Sequence, residues 1–173
     1  DTLETANGSG TIALSNQFSG MSTASLPALG SAQMPAGSVL QVINAITTTQ
    51  ATSTSSTYAD TGLTAAITPS STSSKILVVV HQNGCRKESA DTYAGIKLLR
   101  ATTLLAQLGI SIGYTAGTGT IELGTISDSY LDSPSTTSAT TYKTQFANNT
   151  GTGLIRLQAN SAASTITLIE IKG

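Results

Sequence analysis

Hydrophobic and polar residues alternate with a period of two along most of this chain, in short runs parted by tracts of Ser, Thr, Gly and Pro. Leu63, Ala65 and Ile67 alternate with Thr64, Ala66 and Thr68, and Ile155, Leu157 and Ala159 alternate with Arg156 and Gln158. Successive side chains on a strand point to opposite faces, so this spacing predicts half-buried β-strands. Ile76 to Val80 is apolar at every position, the pattern of a central strand.

Read in this way, strands are predicted at Ser38–Ile46, Tyr58–Thr68 with a break at Gly62, Lys75–His81, Thr92–Arg100, Thr103–Ile112, Thr120–Ile126, Thr141–Ala147, Leu154–Ala159 and Thr165–Ile171. Thr47–Thr57 reads as a loop or edge, and Pro69–Ser74 as a turn. Asn83-Gly84 predicts a tight hairpin turn, because both residues tolerate positive φ. Asp128–Thr137 reads as a loop. Leu98–Leu108 also matches a helical spacing, but Thr102 and Thr103 favour the extended state. Eight or nine strands fit an all-β, antiparallel, jelly-roll-like β-sandwich over residues 38–173. Residues 1–37 differ: Gly8, Gly10, Gly20, Pro27, Gly30, Pro35 and Gly37 surround isolated apolar side chains such as Ile12, Phe18 and Leu26. That segment is expected to be an extended N-terminal arm, a stem or an attachment segment.

Composition narrows the classes of function. Of the 173 residues 39% are hydrophobic and only 4% aromatic, with no Trp, so the core must be aliphatic. Charged residues are 10%, against roughly 25% in ordinary soluble domains, so hydroxyls and amides must keep the surface wet. With few lysines to protect sheet edges, closure of the sheet or burial between subunits is the expected substitute. A net charge of −1 argues against nucleic acid as a partner. No apolar run is long enough to span a bilayer, so membrane insertion is not expected. Asp1-Thr2-Leu3-Glu4 lacks the basic and apolar blocks of a signal peptide. Cys85 is the only cysteine, which rules out an intrachain disulfide.

Several stretches together resemble a known family. Pro35-Ala36-Gly37-Ser38-Val39-Leu40-Gln41-Val42 looks like the opening of a domain common in virion proteins of tailed bacteriophages, notably marine and cyanobacterial phages. Thr61-Gly62-Leu63 through Ile67-Thr68-Pro69, Ser73–Val78, Tyr130-Leu131-Asp132-Ser133-Pro134 and Ser164–Ile171 are similar in order and spacing, from about residue 35 to the end. The resemblance implies a β-sandwich knob on a tail fibre, a head fibre or a capsid decoration, located in the virion and usually a homotrimer. The N-terminal arm would then contact other virion proteins. Residues 1–34 are shorter than a tail-fibre shaft, which favours a short head fibre, a decoration knob or a piece of a longer fibre. The trimer also has a physical motive. Ile76–Val80 and Ile166–Ile171 are apolar on both faces, so one face lines the core and the other meets either a subunit seam or a covering loop.

No pattern calls for catalysis, and no enzyme activity, cofactor or metal is expected. His81, Cys85, Arg86, Lys87 and Glu88 form the densest cluster of functional groups, but a polar loop explains them better than a Cys–His nucleophile or a metal on a threefold axis. Asp128 and Asp132 supply too few oxygens for a calcium site. Gly113–Gly119 lacks the Lys and the following helix of a phosphate loop. Glu122 and Glu170 are separated carboxylates on strands, expected to be exposed or interface-paired acids rather than a glycosidase pair. Asn7-Gly8-Ser9 and Asn148-Asn149-Thr150 match the glycosylation pattern, and no function is assigned to them. Loop tips on rigid sandwiches bind partners, so His81, Arg86, Lys87, Tyr114, Tyr130 and Asp132 are the candidate receptor-contact residues, with a host-surface glycan as the candidate ligand.

Overall fold

The computed structural model describes residues 30–31, 33–117, 119–150 and 153–173. Most of the predicted N-terminal arm therefore lies outside the described residues. Ten strands follow in chain order: β1 (Val39–Thr47), β2 (Ala51–Ser53), β3 (Ala59–Ile67), β4 (Lys75–Lys87), β5 (Ala94–Arg100), β6 (Thr103–Ile112), β7 (Ile121–Asp132), β8 (Thr140–Asn148), β9 (Ile155–Leu157) and β10 (Ser164–Ile171). All pair antiparallel. The Leu98–Leu108 ambiguity resolves to strand: β5 and β6 form a hairpin through Ala101-Thr102, with Ala101 at φ +51°.

One sheet runs β3-β8-β5-β6. In the other, β10 pairs with the first half of β4 and β9 with its last two residues, while β1 lies on β10 and β2 on β9. β1 with β2, and β9 with β10, are thus two long strands, each interrupted once. β7 covers the opposite edge of β4. Counted as eight strands in chain order, the sheets read 1-8-3-6 and 2-7-4-5, the order of a jelly roll. The fold class expected from the periodicity is therefore the one observed.

Two expectations are corrected. Asn83-Gly84 makes no hairpin: β4 runs through it, and the register slips between Gln82 and Cys85. Gly84 (φ +61°) forms a bulge, because a Cβ there would stand 2.6 Å from the backbone nitrogen of Ala159. The same positive φ that suits a turn suits a bulge, and the short 3-10 turn Ala159–Ser161 packed against it decides the outcome. Likewise, β7 extends to Asp132, so Asp128–Asp132 is strand rather than loop. The anticipated break at Gly62 (φ +83°) is present as a register shift between Asp60 and Thr64.

The core has two parts. Leu63, Ala65, Ile67, Ile76, Val78, Val80, Leu98, Tyr142, Ile166 and Leu168 fill one, and Cys85, Ala94, Ile96, Phe146, Ile155 and Leu157 fill the other. Each buried Val, Leu, Ile or Phe contributes about 1.5–3 kcal/mol. A polar belt separates the two parts. Thr61 and Thr144 share a hydrogen bond of 2.6 Å, Thr144 donates to Gln82 Oε1 (3.1 Å), and Gln82 and Gln158 both donate to Ser164 Oγ (3.0 Å each). All five residues are buried. Each of the five makes at least one hydrogen bond, although Gln158 Oε1 has no partner, and the belt ties one sheet to the other.

Candidate functional site

The two ends of the sandwich differ. Met34–Ser38 enters at one end, where Gly37 N donates to Lys172 O (2.8 Å) and Lys172 N to Ser38 O (2.9 Å). The turns 68–74, 101–102 and 133–139 lie at this same end, and residues 88–93, 113–117, 119–120, 149–150 and 153–154 gather at the other.

At the entry end, Asp132 accepts two hydrogen bonds from Arg100 (2.9 and 2.8 Å) and one from the Tyr142 hydroxyl (2.7 Å). Burial, then the bond to Asp132, pushes the Tyr142 hydroxyl far up, so it stays protonated. Asp132 is buried and locks two sheets together; it offers no surface to a receptor. Tyr130 packs against the first core cluster. Glu170 is buried too. It accepts from Gln41 Nε2 (2.6 Å) and from the backbone nitrogen and hydroxyl of Ser70 (2.7 Å each). Burial pushes its carboxyl up, but these hydrogen bonds outweigh burial and hold it below the usual range.

The cluster around Asn83-Gly84 is pulled apart by the strand that replaces the turn. His81 points outward and Cys85 inward, so they form no Cys–His pair. His81 Nδ1 meets Ser127 Oγ at 2.5 Å. Burial pushes the Cys85 thiol up to about 12, which makes it a small protonated core residue. Arg86 pairs with Glu122 (2.7 Å) and Arg156 with Glu88 (2.5 Å). Lys87 is fully buried, its Nζ donating to Thr115 O at 3.0 Å, so it too is removed from any contact surface. Its ammonium ties β4 to the 113–120 loop.

The far end gathers aromatic side chains. Tyr114 is exposed, donates to Asp91 (2.8 Å) and stands edge-on to Tyr93, with ring centroids 6.0 Å apart. Lys97 Nζ sits 3.5 Å above the Tyr58 ring. Asn148 is buried and donates to Gly153 O, so the glycosylation pattern there is closed off; Asn7 lies outside the described residues. Among the described residues no group of three or more His, Cys, Asp or Glu side chains is placed to hold a metal ion. No helix among them is long and apolar enough to cross a membrane.

The most distinctive surface is one that spacing alone does not locate. On the outer face of the β4 sheet, register places Val42, Ile169, Leu77 and Leu131 side by side in one row across four strands. Val42 is 55% exposed and Leu131 50%. The neighbouring rows hold Asn44, Thr167, Val79 and Ser129, then Ile46, Thr165, His81 and Ser127. Apolar residues on both faces of β4 and β10 were the sequence signal, but the row exists only once the strands are ordered.

No family model matches this chain, and no curated protein does. Among solved structures it is similar to that of the VP2 subviral particle of infectious bursal disease virus, at a TM-score of 0.50 and 14% identity, over 86% of this chain. This chain spans 37% of the length of that one. What the two share is the fold: an antiparallel β-sandwich.

Proposed function

We propose that this chain is a structural protein of a bacteriophage virion, a trimeric knob that projects from the capsid or tail and performs no catalysis. One observation carries the reading. Ionisable and nucleophilic side chains are spent on holding the sandwich: Lys87, Asp132, Glu170 and Cys85 are all buried. Fold likeness to a viral VP2 and the resemblance in sequence to phage virion domains agree with it. In this reading residues 1–37 attach to other virion proteins and the sandwich is displayed. Gold-labelled antibody against the sandwich should decorate intact particles, and light scattering should return three times the 17.5 kDa chain mass. Bare particles beside a labelled control would remove the virion assignment.

A second reading rests on the far end of the sandwich. Exposed Tyr114, braced by Asp91 and Tyr93, offers an aromatic face beside a carboxylate, a pairing suited to a sugar ring. A glycan array probed with the intact assembly tests it. Binding that is lost in Tyr114→Ala supports a receptor tip, and silence across host polysaccharides leaves the structural role alone.

A further inference from the structure

We infer that the outer face of the β1-β10-β4-β7 layer is the surface through which copies of this chain meet. The inference rests on the reading of the knob as an assembly of identical subunits, and it names the seam. The row Val42–Ile169–Leu77–Leu131 is continuous across the sheet, and Val39 and Ile171 extend it at the next level beside Lys75. Contiguous exposed apolar surface on a protein with this little charge marks an interaction site.

Charge and size point to a second copy as the occupant. Within the four outward rows only Lys75 and His81 ionise, and both lie outside the apolar row. Farther along the same face, Arg86 is matched by Glu122 and Arg156 by Glu88, so that end is internally neutral. A partner must therefore be weakly charged and must match apolar residues as well as hydroxyls and amides, which this face on neighbouring copies does; around a threefold axis each face is shared between two neighbours. A net charge of −1 leaves no long-range repulsion between copies. Four strands about 4.8 Å apart and some 27 Å long present about 500 Å² each. Three such faces around a threefold axis bury about 1,500 Å² in all, each divided between two neighbours.

The opposite face makes the contrast. On the β3-β8-β5-β6 sheet, Asp60 takes hydrogen bonds from Lys143 (2.9 Å) and Gln145 (2.8 Å) in front of Lys97 and Gln107. The next row holds Thr64, Lys143, Leu99 and Leu104, so this face carries charge in both rows where the other carries none in its apolar row, and it supplies an internal control.

The test uses the full chain. Val42→Lys with Leu131→Lys should weaken self-association at least ~100-fold, because each lysine would be desolvated against apolar side chains. Light scattering should then return a monomer with an unchanged circular dichroism spectrum, since both positions are exposed. In a second variant, Val42→Cys with Leu131→Cys, the two thiols of one chain stand about 14 Å apart across three strand spacings, too far for a disulfide. Cys85 is buried and stays silent. Mild oxidation should therefore yield covalent oligomers. If the native chain is oligomeric but the lysine variant keeps its mass and the cysteine variant stays uncrosslinked, the seam is elsewhere and the assembly reading stands. If the native chain is itself a monomer, both fall. Should the lysine variant keep its mass while residues 1–29 become more sensitive to protease, the face is covered by the chain's own N-terminal segment, and the inference is overturned.

Discussion

The outer faces of the two sheets are built from the same strands-and-hydroxyls material, yet they read differently. On the β3-β8-β5-β6 face, charged and amide side chains bind one another: Asp60 with Lys143 and Gln145, and Lys97 over Tyr58. On the β1-β10-β4-β7 face, Val42, Ile169, Leu77 and Leu131 stand in a row with nothing charged among them. A sheet that meets water on one side needs a polar outer face. One sheet places ion pairs and amides on its outer face; the other carries an uncharged apolar row there, which the proposed contact between copies would cover. The difference teaches that two sheets of one jelly roll can share a core and still present chemically different outer faces.

The largest effect should come from moving the contrast. Thr64→Lys with Leu104→Lys on the polar face should leave the molecular mass unchanged, whereas the lysine pair at Val42 and Leu131 dissociates the assembly. Equal dissociation by both pairs, seen in light scattering, would erase the distinction between the faces.

Backbone strain gives the next largest effect. Gly84 and Gly62 both have positive φ, but only Gly84 is crowded by backbone. Gly84→Ala should destabilise by about 3 kcal/mol and Gly62→Ala by about 1 kcal/mol. Urea denaturation measures both, and a Gly62→Ala loss as large as that of Gly84→Ala would mean that crowding at Ala159 is not what fixes the bulge.

Acid should separate the sheets more gently. Glu170 under the apolar face and Asp60 on the polar face are both held below their usual values of 4.5 and 3.8. For Asp60 the cause is hydrogen bonding from Lys143 and then Gln145. A carboxyl lowered on folding contributes stability that is full above its unfolded value and lost as pH falls through its folded one. Melting temperatures should therefore fall below pH ~4.5, and less steeply in Glu170→Gln than in the native chain. Asp60→Asn should change that slope less, because its side chain is more than half exposed, at 53%. Matching slopes for Glu170→Gln and the native chain would show that Glu170 contributes nothing there.

The smallest effect belongs to the polar face itself. Lys143→Ala should cost less than ~1 kcal/mol, and high salt should abolish most of that. Thermal melts at two ionic strengths decide it.

Much of the fold was legible in the chain. Alternation at Leu63–Thr68 and the continuous run Ile76–Val80 placed β3 and β4, and apolar residues on both faces of β4 and β10 hinted at a second covered surface. The candidate contact residues fared otherwise. Lys87 and Asp132 look like loop charges in sequence, yet both are buried: one bonded to a loop carbonyl 28 residues away, the other to Arg100 and Tyr142. Nothing near them in sequence signals those partners. Nor does anything announce the Thr61–Thr144–Gln82–Ser164–Gln158 belt, whose members look like ordinary strand hydroxyls and amides.

The sequence by itself determined where the chain is extended, because period-two alternation and turn residues act over a few neighbours. It also determined that cysteine would form no intrachain bridge; the core expected to be aliphatic is mostly so, but Tyr142 and Phe146 are among its largest fully buried side chains. Only the tertiary structure decided that Asn83-Gly84 is a bulge, that β7 reaches Asp132, and that four apolar residues from distant segments share one row. Local alternation says that a strand has two faces. Which strands lie beside it, and in what register, depends on contacts between residues up to 129 positions apart, such as Gln41 with Glu170.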